Sequence, residues 1–407
     1  MRLSLAPLGL LSQDRSHDHS RVANLQPRAD GFCQGRRLLA WAEDGAKYLD
    51  LGAGIAVNSL GHANPELVAT LTEQAGKLWH VSNLYRIPEQ ERLAEALVAK
   101  TFADTVFFTN SGTEAAELAI KMARKYHYEK GEPERIEILA FEGAFHGRST
   151  GAIAAAGSEK MTKGFGPLMP GFKQLKWGDH DAIRATITDK TCAVIIEPVQ
   201  GEGGIRIVPD QCLKGLRDLC DSTGTLLIFD EVQCGMGRTG RLFAHEWSGI
   251  TPDIMMVAKG IGGGFPLGAV LATENAAAGM VAGSHGSTYG GNPLACAVGV
   301  KVMEIISDDA FLAEVNRKAA LFRQGLEGLV AGHPTVFEAV RGEGLILGLK
   351  CRVTNTDIVK AGYKLGLLTV PAADNVIRLL PALNIPDDDI TTALGLLDQA
   401  AFLIEAA

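Results

Sequence analysis

Short apolar runs recur through the middle of this 407-residue chain, with helix-like stretches between them. The runs fall at residues 105–108, 136–141, 193–197, 225–230, 254–258 and 269–272. Helix-like stretches such as 114–128 and 209–222 lie between them. A strand that is apolar on both faces needs cover on both faces. The pattern therefore predicts an α/β fold with a buried, largely parallel sheet between helical layers. Reactive groups in such sheets gather at the carboxyl ends of the strands. Asn110, Glu197, Asp230 and Lys259 all fall at or just past such ends.

After about Pro293 the pattern changes to long helices, then short strands near 345–350 and 376–380, then a terminal helix from Asp387. This predicts a smaller α+β domain over 294–407, beside a large domain over 51–293. Residues 1–50 carry a short strand signal at 37–41 and a turn at Glu43-Asp-Gly45, and are expected to form an arm that packs with the small domain.

Charge and cysteine content narrow the class. The net charge is -8 with no basic tract, which argues against nucleic acid or an anionic membrane as partner. No apolar stretch is long enough to span a bilayer. The seven cysteines form no Cys-x-x-Cys pair, so neither a disulfide frame nor a zinc site is expected. His17 and His19 flank Asp18 in a polar leading stretch that reads as a solvated tail, and no metal is expected. Residues 1–11 imitate a signal peptide weakly, without a cleavage site, and the chain reads as cytoplasmic.

Lys259 closes the run Asp253-Ile-Met-Met-Val-Ala-Lys259 and opens Gly-Ile-Gly-Gly-Gly-Phe-Pro-Leu-Gly268. Burial favours the neutral amine, the form that builds a Schiff base. Asp230 ends a second buried run beside Glu231, and a carboxylate at that depth needs a cation. A protonated pyridine nitrogen is a suitable one. The alternative, Mg²⁺ at a Walker-type strand, lacks its phosphate loop in this sequence.

Ser111, Gly112 and Thr113 sit between a strand and a helix, where hydroxyls and free N–H groups can cradle a phosphate. The same residues also read as a plain helix cap with Glu114. Gly235-Met-Gly-Arg-Thr-Gly240 matches dinucleotide spacing, but the next segment is too short for a crossover helix. Phe145 can stack on a ring and Arg148 can hold a carboxylate, or they are a core aromatic and a surface charge. Glu197 is a carboxylate in a glycine-rich loop, and Arg378 is a cation in an apolar run that needs an anionic partner. The loop His285-Gly-Ser-Thr288 offers hydroxyls to a phosphate, or only turns the chain.

Taken in order, these motifs resemble the subgroup III (class III) aminotransferases of the fold-type I pyridoxal-phosphate enzymes, most closely those acting on acetylornithine and succinylornithine. Asn110-Ser-Gly-Thr-Glu-Ala115, Phe145-His-Gly-Arg148, Glu197-Pro-Val-Gln-Gly-Glu-Gly-Gly204, Phe229-Asp-Glu-Val-Gln233, Ala258-Lys-Gly260 and Gly286-Ser-Thr-Tyr-Gly-Gly-Asn-Pro293 carry the likeness. It implies a mostly parallel seven-stranded sheet and pyridoxal 5'-phosphate as cofactor. Lys259 would hold the cofactor as a Schiff base and shuttle the proton. Asp230 would pair with the ring nitrogen, Gln233 with the phenolic oxygen, and Phe145 and Val232 would sandwich the ring. Ser111, Gly112 and Thr113 would hold the phosphate, joined by Thr288 of a neighbouring subunit in a homodimer with shared sites. Arg148 and Ser287 would receive the distal carboxylate end of the substrate. Glu197 would pair with Arg378 and release it for 2-oxoglutarate. The implied reaction moves the δ-amino group of N-acetylornithine to 2-oxoglutarate, in arginine biosynthesis. Succinylornithine, ornithine or 4-aminobutyrate are the other candidate donors. An aminomutase or racemase and a dinucleotide oxidoreductase are the competing reactions.

Overall fold

The computed structural model describes residues 31–406. The leading stretch that imitates a signal peptide, and His17 and His19, lie outside the described residues. The large sheet has seven strands: β1 (Thr105–Thr109), β2 (Glu137–Phe141), β3 (Phe172–Leu175), β4 (Thr191–Ile196), β5 (Leu226–Asp230), β6 (Ile254–Val257) and β7 (Gly268–Ala272). Their spatial order is β1-β7-β6-β5-β4-β2-β3. The neighbours β6/β5, β5/β4, β4/β2 and β2/β3 run parallel, and β7 runs antiparallel to both β6 and β1.

Strand periodicity assigns the core. Ile138, Ala140, Ala193, Ile195, Ile228 and Met256 pack on one face against the helix Gly112–Glu129. The intervening Leu139, Phe141, Val194, Ile196, Leu227 and Phe229 pack on the other face with the helix Asp210–Thr223. Successive side chains point to opposite faces, so an uninterrupted apolar run is what a doubly covered strand requires. Each fully buried leucine, isoleucine or phenylalanine stabilises the fold by about 1.5–3 kcal/mol.

Beyond the helices Pro293–Ile306 and Asp309–Gly332, an antiparallel sheet forms from Phe337–Glu343, Ile346–Cys351, Val376–Leu379 and Val370–Ala372. The strands Phe32–Arg36, Leu39–Ala42 and Lys47–Asp50 form a third sheet, completed by a parallel pairing with Leu367–Leu368. Backbone bonds from Leu380 N–H to Leu51 O (2.6 Å) and from Leu383 N–H to Ser59 O (2.8 Å) join the C-terminal layer to the segment before the large sheet.

The glycines of 235–240 form a buried turn, not the start of a long helix; only the short 3-10 turn Ala244–Trp247 follows. A Cβ on Gly240, whose φ is +87°, would lie 2.0 Å from Asn316 Oδ1. Close packing against the helix Asp309–Gly332 explains that glycine. Arg238 from the same turn donates to Leu345 O (3.1 Å) and Pro381 O (2.5 Å), pinning the C-terminal layer. No helix among the described residues is long and apolar enough to cross a membrane.

Candidate active site

A cavity of about 310 Å³ opens at the carboxyl ends of β1, β2, β4, β5 and β6. Ser111, Gly112, Thr113, Phe145, Glu197, Asp230, Val232, Gln233 and Lys259 all line it. Residues from five separate strand ends thus meet in one space. Antiparallel β7 closes it, because its first residue, Gly268, pairs with Thr109 at the end of β1.

Lys259 follows β6 with φ +50°, a left-handed conformation that costs a lysine about 1–3 kcal/mol. Its amine makes no hydrogen bond or ion pair with any described residue. Burial pulls its pKa below the usual lysine range, opposed by the charges of Asp230, Glu202 and Glu197. An unpartnered, easily deprotonated amine in a strained backbone is a nucleophile held ready.

Asp230 is 3 % exposed. Its Oδ1 accepts from Val232 N–H at 3.0 Å, and its Oδ2 lies 2.7 Å from His146 Nδ1. His146 is equally enclosed. Burial alone would lower its pKa, but contact with Asp230 more than offsets this and the net shift is upward. The Nε2 of His146 has no partner among the described residues. In the motif Phe145-His-Gly-Arg148, His146 carries no role of its own. The cue was available: a histidine three residues past a strand-end turn is within reach of the adjacent strand ends. Glu231 points away from Asp230, as strand alternation demands. It accepts from Ala244 N–H (2.5 Å) and His245 N–H (2.9 Å) and lies 2.8 Å from His245 Nδ1. The two carboxylates therefore do not share a metal. No group of three metal-ligating side chains occurs among the described residues.

At the head of the helix Gly112–Glu129, Ser111 is the cap residue. Its Oγ accepts from Glu114 N–H at 3.2 Å, as a cap does. Glu114 reaches back to Asn110 N–H at 2.5 Å. The N–H groups of Gly112 and Thr113 remain without acceptors among the described residues. A Cβ on Gly112 would lie 2.9 Å from Val232 Cγ1, so the cradle tolerates no side chain there.

Glu197 and Arg378 are not joined. Glu197 accepts from Phe145 N–H (3.2 Å) and Gly201 N–H (3.4 Å). Burial, then the nearby Asp230 charge, push its pKa up to about 8. Arg378 instead pairs with Glu202 at 2.6 Å and donates to Gln233 Oε1 at 3.1 Å. The reason is local. Glu197 closes β4 and turns inward, whereas Glu202 lies in the following loop, whose Glu202 O accepts from Ala373 N–H at 3.0 Å. That bond brings Glu202 beside the strand carrying Arg378. Two acids five residues apart in one loop were the cue for a second candidate.

Arg148, Ser287 and Thr288 lie outside the cavity. Arg148 is exposed, with its guanidinium 5.6 Å from the Phe145 ring centre and its N–H on Thr113 Oγ1 at 3.3 Å. Ser287 Oγ accepts from Asn110 Nδ2 (3.2 Å) and Gly290 N–H (3.0 Å) and lines a separate cleft with Asn83 and His285. Thr288 is exposed on the same loop.

The family described as Aminotransferase class-III matches residues 33–401. The chain belongs to the class III aminotransferases. It is a transaminase of the fold-type I architecture, and pyridoxal phosphate is its cofactor. It is similar to the acetylornithine aminotransferase of Rhodobacter capsulatus, with 70% identity over 92% of this chain and 95% of that one. The acetylornithine aminotransferase of Mesorhizobium japonicum is 60% identical over 89% and 91%. Among solved structures, N-acetylornithine aminotransferase from Stenotrophomonas maltophilia superposes with TM-score 0.83 at 38% identity, over 94% and 98% of the chains. Ornithine aminotransferase from Toxoplasma gondii gives TM-score 0.91 at 30% identity, over 95% and 94%.

Proposed function

We propose that this chain is an N²-acetylornithine:2-oxoglutarate aminotransferase of arginine biosynthesis, working in the cytoplasm as a homodimer. The observation that carries the chemistry is the unpartnered Lys259 amine, facing the cavity that also holds Asp230. The names of the relatives carry the choice of donor.

The residues fit pyridoxal phosphate. The free N–H groups of Gly112 and Thr113, with the Ser111 hydroxyl, suit its phosphate at the positive end of a helix. The lack of room for a Cβ at Gly112 suits close approach. When bound, the cofactor supplies an aldehyde carbon and a ring that delocalises an electron pair.

This chain's own groups do the rest. Asp230 would hold a positive charge on the ring nitrogen, and His146 fixes the Asp230 carboxylate through its 2.7 Å contact. Phe145 and Val232, which line the cavity, would pack on the cofactor ring, and Gln233 would offer its amide to the phenolic oxygen. Lys259, its amine favoured in the neutral form by burial, would take the proton from the donor's δ-carbon and hold it for return. The donor leaves as N-acetylglutamate 5-semialdehyde, and 2-oxoglutarate carries the amino group away as glutamate.

Arg378 receives the α-carboxylate of 2-oxoglutarate. Glu202, not Glu197, masks that charge while the acetylornithine side is bound. Its partly exposed position, with the side chain 34% accessible, suits a group that swings aside. Arg148 takes the donor's own carboxylate once a second subunit closes over the cavity mouth. Ser287 lines the approach, and Thr288 reaches the neighbour's phosphate. A solvent-facing apolar group that includes Trp79, Leu84, Tyr85 and Tyr289 favours such a partner. Residues 51–293 form the cofactor domain and the residues from 294 the small domain, and residues 31–50 pack with the latter.

Steady-state rates with N-acetylornithine, N-succinylornithine, ornithine and 4-aminobutyrate test the reading. N-acetylornithine is expected to have the highest specificity constant. A higher value for 4-aminobutyrate by orders of magnitude would overturn the choice of donor.

A further inference from the structure

Away from the cofactor cavity, a cleft of about 490 Å³ opens between the C-terminal sheet and the loop that follows Glu202. Arg206, Arg323 and Arg341 line it, with Trp177 on one side and Asp374 as its single acidic residue. The three arginines come from three different elements: the strand Arg206–Ile207, the helix Asp309–Gly332 and the strand Phe337–Glu343.

Their pairing is uneven. Arg341 donates to Asp374 Oδ2 at 2.7 Å and to Gly204 O at 3.2 Å. Asp374 is already satisfied by a second cation, since Lys350 Nζ donates to its Oδ1 at 2.7 Å. Arg323 donates only to the carbonyl of Gly342. The guanidinium of Arg206 makes no hydrogen bond or ion pair with any described residue. All three side chains are half-buried, where screening is weaker than at an open surface. On a chain of net charge -8, this is a local excess of positive charge with donors to spare.

We propose that this cleft is a second anion site, separate from the catalytic cavity, that binds a phosphoryl group. Guanidinium forks match phosphate oxygens, and several convergent forks suit a dianion better than a single carboxylate. The cleft has room for more than the phosphate itself, so the group is either free phosphate or the end of a small phosphorylated metabolite. Trp177 gives the rest of such a molecule an apolar wall.

Isothermal titration of the holoenzyme decides it, because bound cofactor already fills the phosphate cradle at Ser111 to Thr113. Two probes are used in low-salt buffer: inorganic phosphate and glycerol 3-phosphate. Binding of either is expected, weakened about tenfold by Arg206→Ala and again by Arg323→Ala, with cofactor absorbance unchanged. Tighter binding of the monoester identifies a phosphorylated metabolite, and equal binding identifies free phosphate. Arg206 makes no bond to lose, so its replacement should fold normally, and Arg206→Lys should restore part of the affinity. No heat from either probe, or equal affinity in the parent and both alanine variants, overturns the site.

Discussion

Lys259 and Arg378 are both enclosed basic side chains, yet among the described residues only Arg378 has a hydrogen-bonded partner. Under the proposed mechanism, the difference separates a group kept reactive from a group kept masked. Lys259→Ala is expected to lower kcat by about 10⁴-fold while cofactor still binds without a covalent link. Loss of the link is read from the visible absorbance. Glu202→Gln is expected to slow the donor half-reaction about tenfold and to spare the 2-oxoglutarate half-reaction. Single-turnover absorbance in each direction checks this, and the reverse pattern would return the masking role to Glu197. Glu197 makes a different contribution. Its folded pKa, about 8, lies above the ordinary value of 4.5, so the folded state holds the proton more tightly. The resulting stability is fully present below 4.5 and is lost as pH rises toward 8. Denaturant midpoints across that range should fall in the parent and fall less in Glu197→Gln.

The elements were legible to different degrees, and the reasons are physical. Six strands of the large sheet announce themselves because both their faces are buried. The seventh, β3, does not: it is an edge strand whose two middle residues are polar, Lys173 paired with Glu137 and Gln174 bonded to the carbonyls of Ala154 and Ala155, so its sequence carries no apolar run. The direction of β7 was equally hidden, since Gly-Ala-Val-Leu-Ala reads the same whichever way it pairs. At the site, the strand ends located Asp230 and Lys259, but side-chain aim decided between Glu197 and Glu202. Motif spacing carries no such information. The last helix, Asp387–Glu405, offers a test of its own. His333 lies 2.9 Å from both Asp398 and Glu405. Burial opposes its charge, but the two carboxylates more than compensate and raise its pKa, while Thr335 and then His333 lower that of Glu405. The histidine's share of stability is full below about 6.5 and fades as pH rises through its folded pKa. The share of Glu405 is full above 4.5 and fades as pH falls. Thermal midpoints of His333→Gln should therefore fall furthest below the parent between about 4.5 and 6.5.

For the whole molecule, the proposed shared site makes assembly and catalysis inseparable. Leu84 and Tyr85 are 86% and 67% exposed on the chain alone. Replacing both by glutamate is expected to give a monomer of 43.2 kDa with about 10²-fold less activity. Light scattering and assay on the same fractions check it. A parent enzyme that runs as an active monomer would remove both the partner and the role given to Thr288.

The reversed strand β7 also sets how the molecule breathes. Lys259 lies on the ten-residue link 258–267 between two adjacent interior strands, so its mount is laced on both sides to the interior of the sheet. Backbone amides of β6 and β7 should exchange with deuterium only when the whole protein opens. Amides of the exposed loop around Thr288 should exchange in local openings of far lower energy. The nucleophile would then keep its place through every fluctuation short of unfolding, and the rim that admits substrate would supply the motion.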